Sequence, residues 1–566
     1  MKNDKAIFLD LTPQVEDGRF PIKLAVDESL DVHIRYMGDY ASSLVLKIRK
    51  EQSSTWMRIP MISCGDSLWF AKHFFTELGM YRYTIETDSE YHYCYPIEIP
   101  VWVEPSRIRY STWYQRFPRS CSDMPRMHAT FKEFHKELHR IAAMGFDTIY
   151  IPPIHPIGIT NRKGKNGTLS SDKDDIGSVW AVGNQLGGHK AIDPLYGSLA
   201  DFSELILHSK KMGVEIAFDI TFHCSPDHPY ITDHPEWFLK DSDGRFLYVQ
   251  DGNVDYRDVV PFNFNNFNKQ ALWNELKSVV EFWINLGISV FRIDNPHTKP
   301  VSFWEWLLYQ IKLIHPEVIF LSEALTTPDR MHQLAKIGMS QSYDYFQWKT
   351  SKTEIESYYS EIYSSNISSY FMPVLWTNTP QNLPLYLQNR DKDAFLVRLI
   401  LACTLGASYG IYGPPFEYCM NEPLENGSIE YNDSEQFEIP DWNTNMKYPI
   451  SDTIQRLNLI RLQNSALQNN WSLRFHNTDN ANVIAYSKHS VDFMNTIIVI
   501  VNLTPEVRQN GFVYLDTMSI RLSDCSSFLV HDLLYGTDYL WDNSRNYFEF
   551  TPDRHIAHIL SVGKKK

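Results

Sequence analysis

The sequence predicts a (β/α)8 TIM barrel flanked by an N-terminal and a C-terminal β-sandwich, an α/β fold class. Three observations predict it. Short runs of alternating apolar and polar residues fill positions 1 to about 104, helical patterns then alternate with short β-rich runs, and strand-type alternation returns near residue 465. The expected domains are an N-terminal β-sandwich over 1–104, a barrel with loop insertions over 105–465 and a C-terminal β-sandwich over 466–566. A chain of 566 residues exceeds what one hydrophobic core supports, so several domains are expected on length alone.

The first sandwich rests on VHIRYM, SLVLKIRKE, WMRIPM and MYRYTIET, each bounded by Gly, Ser or Asp. The barrel begins with FKEFHKELHRIAAMGF, which sets Phe131, Phe134, Leu138, Ile141 and Met144 on one helical stripe before the strand DTIYIP. Further units follow: SELILHSKKMG with VEIAFDITF, LWNELKSVVEFWINLG with ISVFRID, FWEWLLYQIKLIHP with VIFLSEA, and MHQLAKIG with SYDYFQW. YFMPVLWTN, FLVRLILACTL and SYGIYG complete the set. About eight such pairs fit a closed barrel better than an open doubly wound sheet. No GxGxxG follows the first strand, which argues against a dinucleotide fold. NVIAYSKHS, TIIVIVNL, SFLVHDLL, NYFEFTP and HIAHILSV read as the second sandwich.

A net charge of −15 opposes capture of nucleic acid or anionic membrane, since both need a clustered basic surface. The closing Lys564, Lys565 and Lys566 read as a solvated tail. The opening MKNDKAIFLDLTPQ lacks an apolar signal core, and no uncharged apolar stretch of about 18 residues occurs, so a soluble cytoplasmic protein is expected. Cys64, Cys94, Cys121, Cys224, Cys403, Cys419 and Cys525 are scattered without a CxxC pair, as suits free thiols in a reducing compartment. No cofactor is expected.

Barrel chemistry sits at the C-terminal ends of the strands, so a carboxylate that terminates a β-run carries weight. Asp219 ends VEIAFD, Asp294 ends ISVFRID and Glu323 ends VIFLSE. Asp294 and Glu323 are one βα repeat apart and should project from neighbouring strands toward one hollow. Two such groups about 5 to 5.5 Å apart suffice for retaining glycoside chemistry, one as nucleophile and one as acid and base. Arg292, two residues before Asp294, would hold it ionised and oriented. A buried structural Arg and Asp pair is the competing reading of the same spacing.

The runs PIHPIG with RKGKNG, GSVWAVGN with GGHKAIDP, CSPDHP with HPEWF, VFRIDNPHTKPVSFWEW, FLSEALTTP, MSQSYDYFQW, TNTP and GSIEYNDSE resemble the bacterial α-1,4-glucan maltosyltransferases of the α-amylase superfamily, which use maltose 1-phosphate as donor. The resemblance covers residues from about 5 to 470. It implies an α-1,4-glucan or maltooligosaccharide as partner, Asp294 as nucleophile, Glu323 as general acid and base, and Arg292 and Asn295 as their supports. It also implies that Lys163, His223 and Tyr256 line sugar or phosphate subsites.

The departures from that pattern matter as much. The family motif NTPD, which supplies a third carboxylate, reads NTPQ here and ends in Gln381. A neutral amide cannot balance an oxocarbenium-like charge, so turnover is expected to be slow or absent. The family's NPPKKY aligns with DGNVDY, placing Asp251 and Val254 where an Asn and a Lys help hold phosphate, and SEKY becomes SEQF, with Gln436 and Phe437. Gly167 stands where the family carries a sugar-contacting Asn. The family's helical insertion after the first sandwich is missing, which leaves a homodimer open. Two alternatives stand beside an active transferase: a catalytically impaired glucan-binding or regulatory homologue, and an α-glucan hydrolase or transglycosylase that does not use maltose 1-phosphate.

Trp180, Trp304, Trp306, Trp348 and Trp376 are expected near strand ends or loops, most of them as packing. DGNVD opens like a calcium loop, but Tyr256 and Phe262 occupy its sixth and twelfth positions, so the match fails. Cys224, Asp227 and His228 lack zinc-ligand spacing and read as a structural loop, so no metal is expected. His223, His228, His234 and His297 read as hydrogen-bonded loop residues.

Overall fold

The computed structural model describes residues 7–38, 43–88, 93–251, 254–364, 366–442, 449–522, 527–552 and 554–563, with the side chains at 250, 251, 254 and 255 outside that description. Two compact units emerge, one of Met1–Arg109, Asn295–Ser342 and Ser364–Met372, the other of Tyr110–Asp294, Tyr343–Tyr363 and Pro373–Lys566.

In the first unit two β-sheets form the N-terminal sandwich. One has four strands, with Ser29–Met37 between Ile7–Thr12 and Leu68–Phe74; the other has five, with Gly79–Thr87 between Leu44–Lys50 and Ile99–Glu104. Period-two alternation explains the strands: Leu30, Val32, Ile34 and Tyr36 are buried while Arg35 and Met37 on the opposite face are exposed. Helix Val301–Ile314 belongs to the same unit, and its buried Lys312 pairs with Glu104 at 2.6 Å and donates to Ser340 Oγ at 2.7 Å.

Eight strands close into a barrel in chain order: Ser111–Gln115, Thr148–Ile151, Glu215–Ile220, Val290–Asp294, Ile319–Glu323, Gln341–Tyr343, Pro373–Trp376 and Ser408–Tyr412. Parallel pairing of the first strand with both the second and the eighth makes the closure. Trp376 stacks on Tyr343 at 5.0 Å between ring centroids and meets Tyr150 edge-on at 6.3 Å, filling the barrel with aromatic rings. A Cβ at Gly410 would lie 2.8 Å from the Trp376 ring, so only glycine fits that place on the eighth strand.

Helix α1 (Phe131–Ala143) starts where Thr130 and Glu133 form a reciprocal cap, and it buries Phe131, Phe134, Leu138 and Ile141 as the sequence stripe predicts. Helix α2 (Leu199–Lys211) starts the same way with Ser198 and Asp201. The C-terminal strands, Arg474–Thr478 to Ala557–Val562, form one eight-stranded order whose two ends share a core of Ala485, Ile498, Val513, Phe528 and Phe550.

Two expectations need correction. Trp304 and Trp306 lie within helix Val301–Ile314 and not at a strand end or in a loop, because FWEW continues the apolar helical stripe instead of ending it. The third barrel strand extends one residue past Asp219, to Ile220.

Candidate active site

Asp294 is the last residue of the fourth barrel strand and Glu323 the last of the fifth, with 5% and 6% of their surfaces exposed. Strand pleat puts Arg292 and Asp294 on one side of the strand. Arg292 Nη1 donates to Asp294 Oδ1 at 2.8 Å and to Asp219 Oδ2 at 2.9 Å, so one guanidinium nitrogen bridges two carboxylates. Asp219 is fixed in turn by the Tyr150 hydroxyl and by Thr221 Oγ1 at 2.7 Å. Burial pushes the Asp219 carboxyl up, the Arg292 charge opposes that rise, and the Asp294 charge adds to it. Burial also drives the Tyr150 hydroxyl far above its ordinary range, so it stays a proton donor.

Asn295 follows Asp294 in the left-handed conformation, φ 42° and ψ 53°. Asparagine tolerates that region better than most residues. The turn aims the Asn295 backbone N–H at Glu323 Oε2, 3.2 Å away, while Lys299 Nζ and Thr298 Oγ1 donate to the Asn295 carbonyl oxygen at 3.2 and 2.8 Å. The support that Asn295 gives Glu323 thus comes from its main chain.

Gln381 sits in a tight turn beyond the seventh strand, where Thr379 and Asn382 exchange backbone hydrogen bonds at 3.1 and 3.0 Å. Buried Asn378 anchors the turn by donating to the Tyr431 hydroxyl at 2.8 Å and accepting from Tyr412 N at 2.9 Å. Gln436 Nε2 donates to the Pro380 carbonyl oxygen at 2.8 Å. Gln381 Oε1 is buried with no hydrogen-bond partner among the described residues.

Lys163 is buried with its ammonium 3.9 Å above the Tyr256 ring and 5.9 Å from the Phe437 ring. Its positive charge opposes the rise that burial imposes on the Asp258 carboxyl. Gly167, at φ 75°, meets the same aromatic: a Cβ there would lie 3.1 Å from the Phe437 ring. Lys163, Tyr256 and Phe437 are therefore brought together. His223 Nε2 donates to the Trp180 carbonyl oxygen at 2.9 Å. Asp251 lies in a hairpin of Val249–Asp251 with Val254–Tyr256, and its side chain is outside the described residues.

His189, Cys224 and His228 form a buried group whose ligand-type atoms lie within 4.8 Å of one another. Protons account for the histidine contacts. His189 Nε2 donates to the Thr221 carbonyl oxygen at 2.9 Å, His228 Nε2 donates to His189 Nδ1 at 3.0 Å, and His228 Nδ1 accepts from Tyr230 N at 3.0 Å. A metal on His228 Nε2 would need a ring with no N–H at all, so this donor set does not fit one. Asp227 instead accepts from Ile159 N and Thr160 N at 2.6 and 2.7 Å.

Sequence reasoning missed Tyr150, Thr221, Asn378 and His189. Thr221 carried a usable signal, since it sits just past the end of a barrel strand, whereas Tyr150 lies within its strand. Asn378 stands two residues past its strand and was legible only as part of TNTP.

Three family models match the chain: "Alpha-1,4-glucan:maltose-1-phosphate maltosyltransferase, domain N/S" over residues 5–96, "Alpha amylase, catalytic domain" over 115–288 and "GLGE, C-terminal" over 475–562. The chain is 43% identical over 464 residues to the alpha-1,4-glucan:maltose-1-phosphate maltosyltransferase of Methylacidiphilum infernorum, covering 82% of this chain and 69% of that protein. To the enzyme of the same name from Chlorobaculum tepidum it is 33% identical, covering 97% of this chain and 95% of that one. Among solved structures, the maltogenic alpha-amylase AmyB from Thermotoga neapolitana superposes with a TM-score of 0.63 at 18% identity, over 81% of this chain and all of that chain. The alpha-amylase of Geobacillus thermoleovorans gives 0.63 at 15% identity, over 81% and 99%. At these identities the structural likeness shows the fold alone.

Proposed function

The chain belongs to the α-1,4-glucan:maltose-1-phosphate maltosyltransferase family of the α-amylase superfamily, and from that premise we propose that it transfers maltosyl units to an α-1,4-glucan by double displacement, slowly because Gln381 replaces a carboxylate. The Asp294 carboxylate attacks the anomeric carbon as its bond to the leaving oxygen breaks, and Glu323 protonates that oxygen. An acceptor sugar hydroxyl then attacks the glycosyl ester, giving its proton to Glu323 and freeing Asp294.

The observation that supports this reading is the Arg292 bridge to Asp219 and Asp294, a charge-assisted contact that aims a strand-end carboxylate. Gln381 tempers it. An amide oxygen can accept from a sugar hydroxyl, but it adds no negative charge where positive charge develops, a loss worth about 3 kcal/mol in such sites.

That substitution favours one second reading, a glucan-binding relative whose chemistry has lapsed. No helix among the described residues is long and apolar enough to cross a membrane. Six described cysteines are free thiols, which supports the reading of a cytoplasmic home.

Incubating glycogen with and without maltose 1-phosphate, and following chain length and phosphate release, tests the proposal. Slow extension coupled to phosphate release is expected. Calorimetric binding of maltooligosaccharide with no turnover would put the second reading in its place, and extension from glycogen alone would mark a non-phosphorylated donor.

A further inference from the structure

A chain of hydrogen bonds that the sugar chemistry does not use runs from a loop backbone to the barrel carboxylates. It starts at Tyr230 N, which donates to His228 Nδ1 at 3.0 Å, and passes from His228 Nε2 to His189 Nδ1 at 3.0 Å and from His189 Nε2 to the Thr221 carbonyl oxygen at 2.9 Å. Thr221 carries it on, because its own Oγ1 donates to Asp219 Oδ1 at 2.7 Å. Asp219 Oδ2 and Asp294 Oδ1 then share Arg292 Nη1. His228, His189, Thr221, Asp219, Arg292 and Asp294 each expose 5% of their surface or less, so water does not compete for these bonds.

The two ends of the chain fix its protons. Tyr230 N–H can only donate and the Thr221 carbonyl can only accept, so each imidazole carries its hydrogen on Nε2 and a lone pair on Nδ1. A second proton on either ring would set N–H against N–H, at Tyr230 or between the rings, so the geometry keeps both neutral. Burial acts the same way, lowering the His189 pKa to about 4 and that of His228 well below its ordinary value. The surroundings are shaped to hold the rings. A Cβ at Gly188 would run into His228 Nε2, so only glycine lets that ring approach the backbone beside His189. Trp283 Nε1 donates to the His189 carbonyl oxygen at 2.9 Å, and the Trp283 ring stacks on Phe218, the residue before Asp219, with centroids 4.2 Å apart. Thr221 lies one residue past Ile220 and Ile293, the last register pair of the third and fourth barrel strands, and there the His189 imidazole donates to its carbonyl.

We propose that His189 is a positioning residue for the nucleophile, a role that rests on the reading of Asp294 given above. Its Nε2–H holds the Thr221 peptide, the held peptide keeps Thr221 Oγ1 on Asp219, and Asp219 sets the Arg292 guanidinium against Asp294. His228 locks His189 in the one tautomer that can do this. The two imidazoles exchange no proton with the sugar; they fix a direction.

The rate of glycosyl-ester formation from α-maltosyl fluoride, followed by intact-mass spectrometry on the full chain carrying Glu323→Gln, tests this role. Adding His189→Phe, which keeps a flat ring and removes both hydrogen bonds, is expected to slow the ester at least about tenfold, while the maltosyl fluoride concentration for half-maximal rate changes less than about threefold. His189→Gln, whose amide can donate to the Thr221 carbonyl and accept from His228, should recover most of the rate. In a Thr221→Val background, which has no hydroxyl to give Asp219, His189→Phe should cost less than about threefold more, because the two residues act along one chain. A His189→Phe rate within about threefold of the background, or full additivity with Thr221→Val, would overturn the proposal. So would a nitrogen-15 histidine spectrum at about pH 7 in which the ring signals lost in His189→Gln belong to a charged imidazole or to one protonated at Nδ1. Absence of any ester on the Glu323→Gln protein itself would instead overturn Asp294 as the nucleophile, and the role of His189 with it. Circular dichroism of each variant checks that the fold is unchanged.

Discussion

The side-chain amide of Gln436 donates to the carbonyl oxygen of Pro380 at 2.8 Å, immediately before Gln381. Two positions that the sequence resemblance marks as departures are thus joined through one peptide. Gln436 braces the turn that presents Gln381, and neither residue brings charge to it. The turn keeps its form through Asn378, Gln436 and the Thr379 to Asn382 bonds, whatever the residue at 381.

Restoring the acid should therefore restore rate without rebuilding the loop. Gln381→Asp is expected to speed maltosyl transfer to glycogen by about 10²-fold, read as the initial rate of phosphate release from maltose 1-phosphate. An unchanged rate would point instead to the proposed donor site around Lys163 and Phe437.

Exposure to α-maltosyl fluoride separates the two proposed catalytic groups. Fluoride leaves without a proton, so Glu323→Gln should still form the glycosyl ester and then fail to pass it on, and intact-mass spectrometry should show one added maltosyl unit. Asp294→Asn should show none. Transfer to glycogen should fall by at least about 10²-fold in Glu323→Gln.

Asp344 makes a pH-dependent contribution to stability. Burial pushes its carboxyl up to about 7 from 3.8, against the hydrogen bonds of the Tyr359 hydroxyl and Phe346 N. The folded-state value exceeds the unfolded one, so the contribution is whole below 3.8 and is lost as pH rises through 7. Asp344→Asn, which cannot ionise, should gain up to a few kcal/mol over the wild type at about pH 8 and little at about pH 4, measured by urea denaturation at both values.

Gly410→Ala should cost roughly 1–3 kcal/mol, because the new methyl meets the Trp376 ring inside the barrel. Adding Trp376→Leu should recover part of that loss, and thermal melts of the single and double variants check it.

The barrel was legible because its strands end abruptly in polar residues, which is how Asp294 and Glu323 stood out. The aromatic content misled in FWEW, where a helix carries three aromatic residues that also suit a loop over a sugar. Tyr150 looked like one more aromatic within a strand, and only the packing of the second strand against the third turns its hydroxyl to Asp219. His189 escaped notice because its partner His228 is 39 residues away, a distance that no local pattern spans.

Because a single nitrogen of Arg292 serves both Asp219 and Asp294, the two acids behave like the pans of a balance. Whatever draws the guanidinium toward one loosens its hold on the other. An engineer could therefore retune Asp294 from behind, at Tyr150 or Thr221, without touching Asp294 or Glu323.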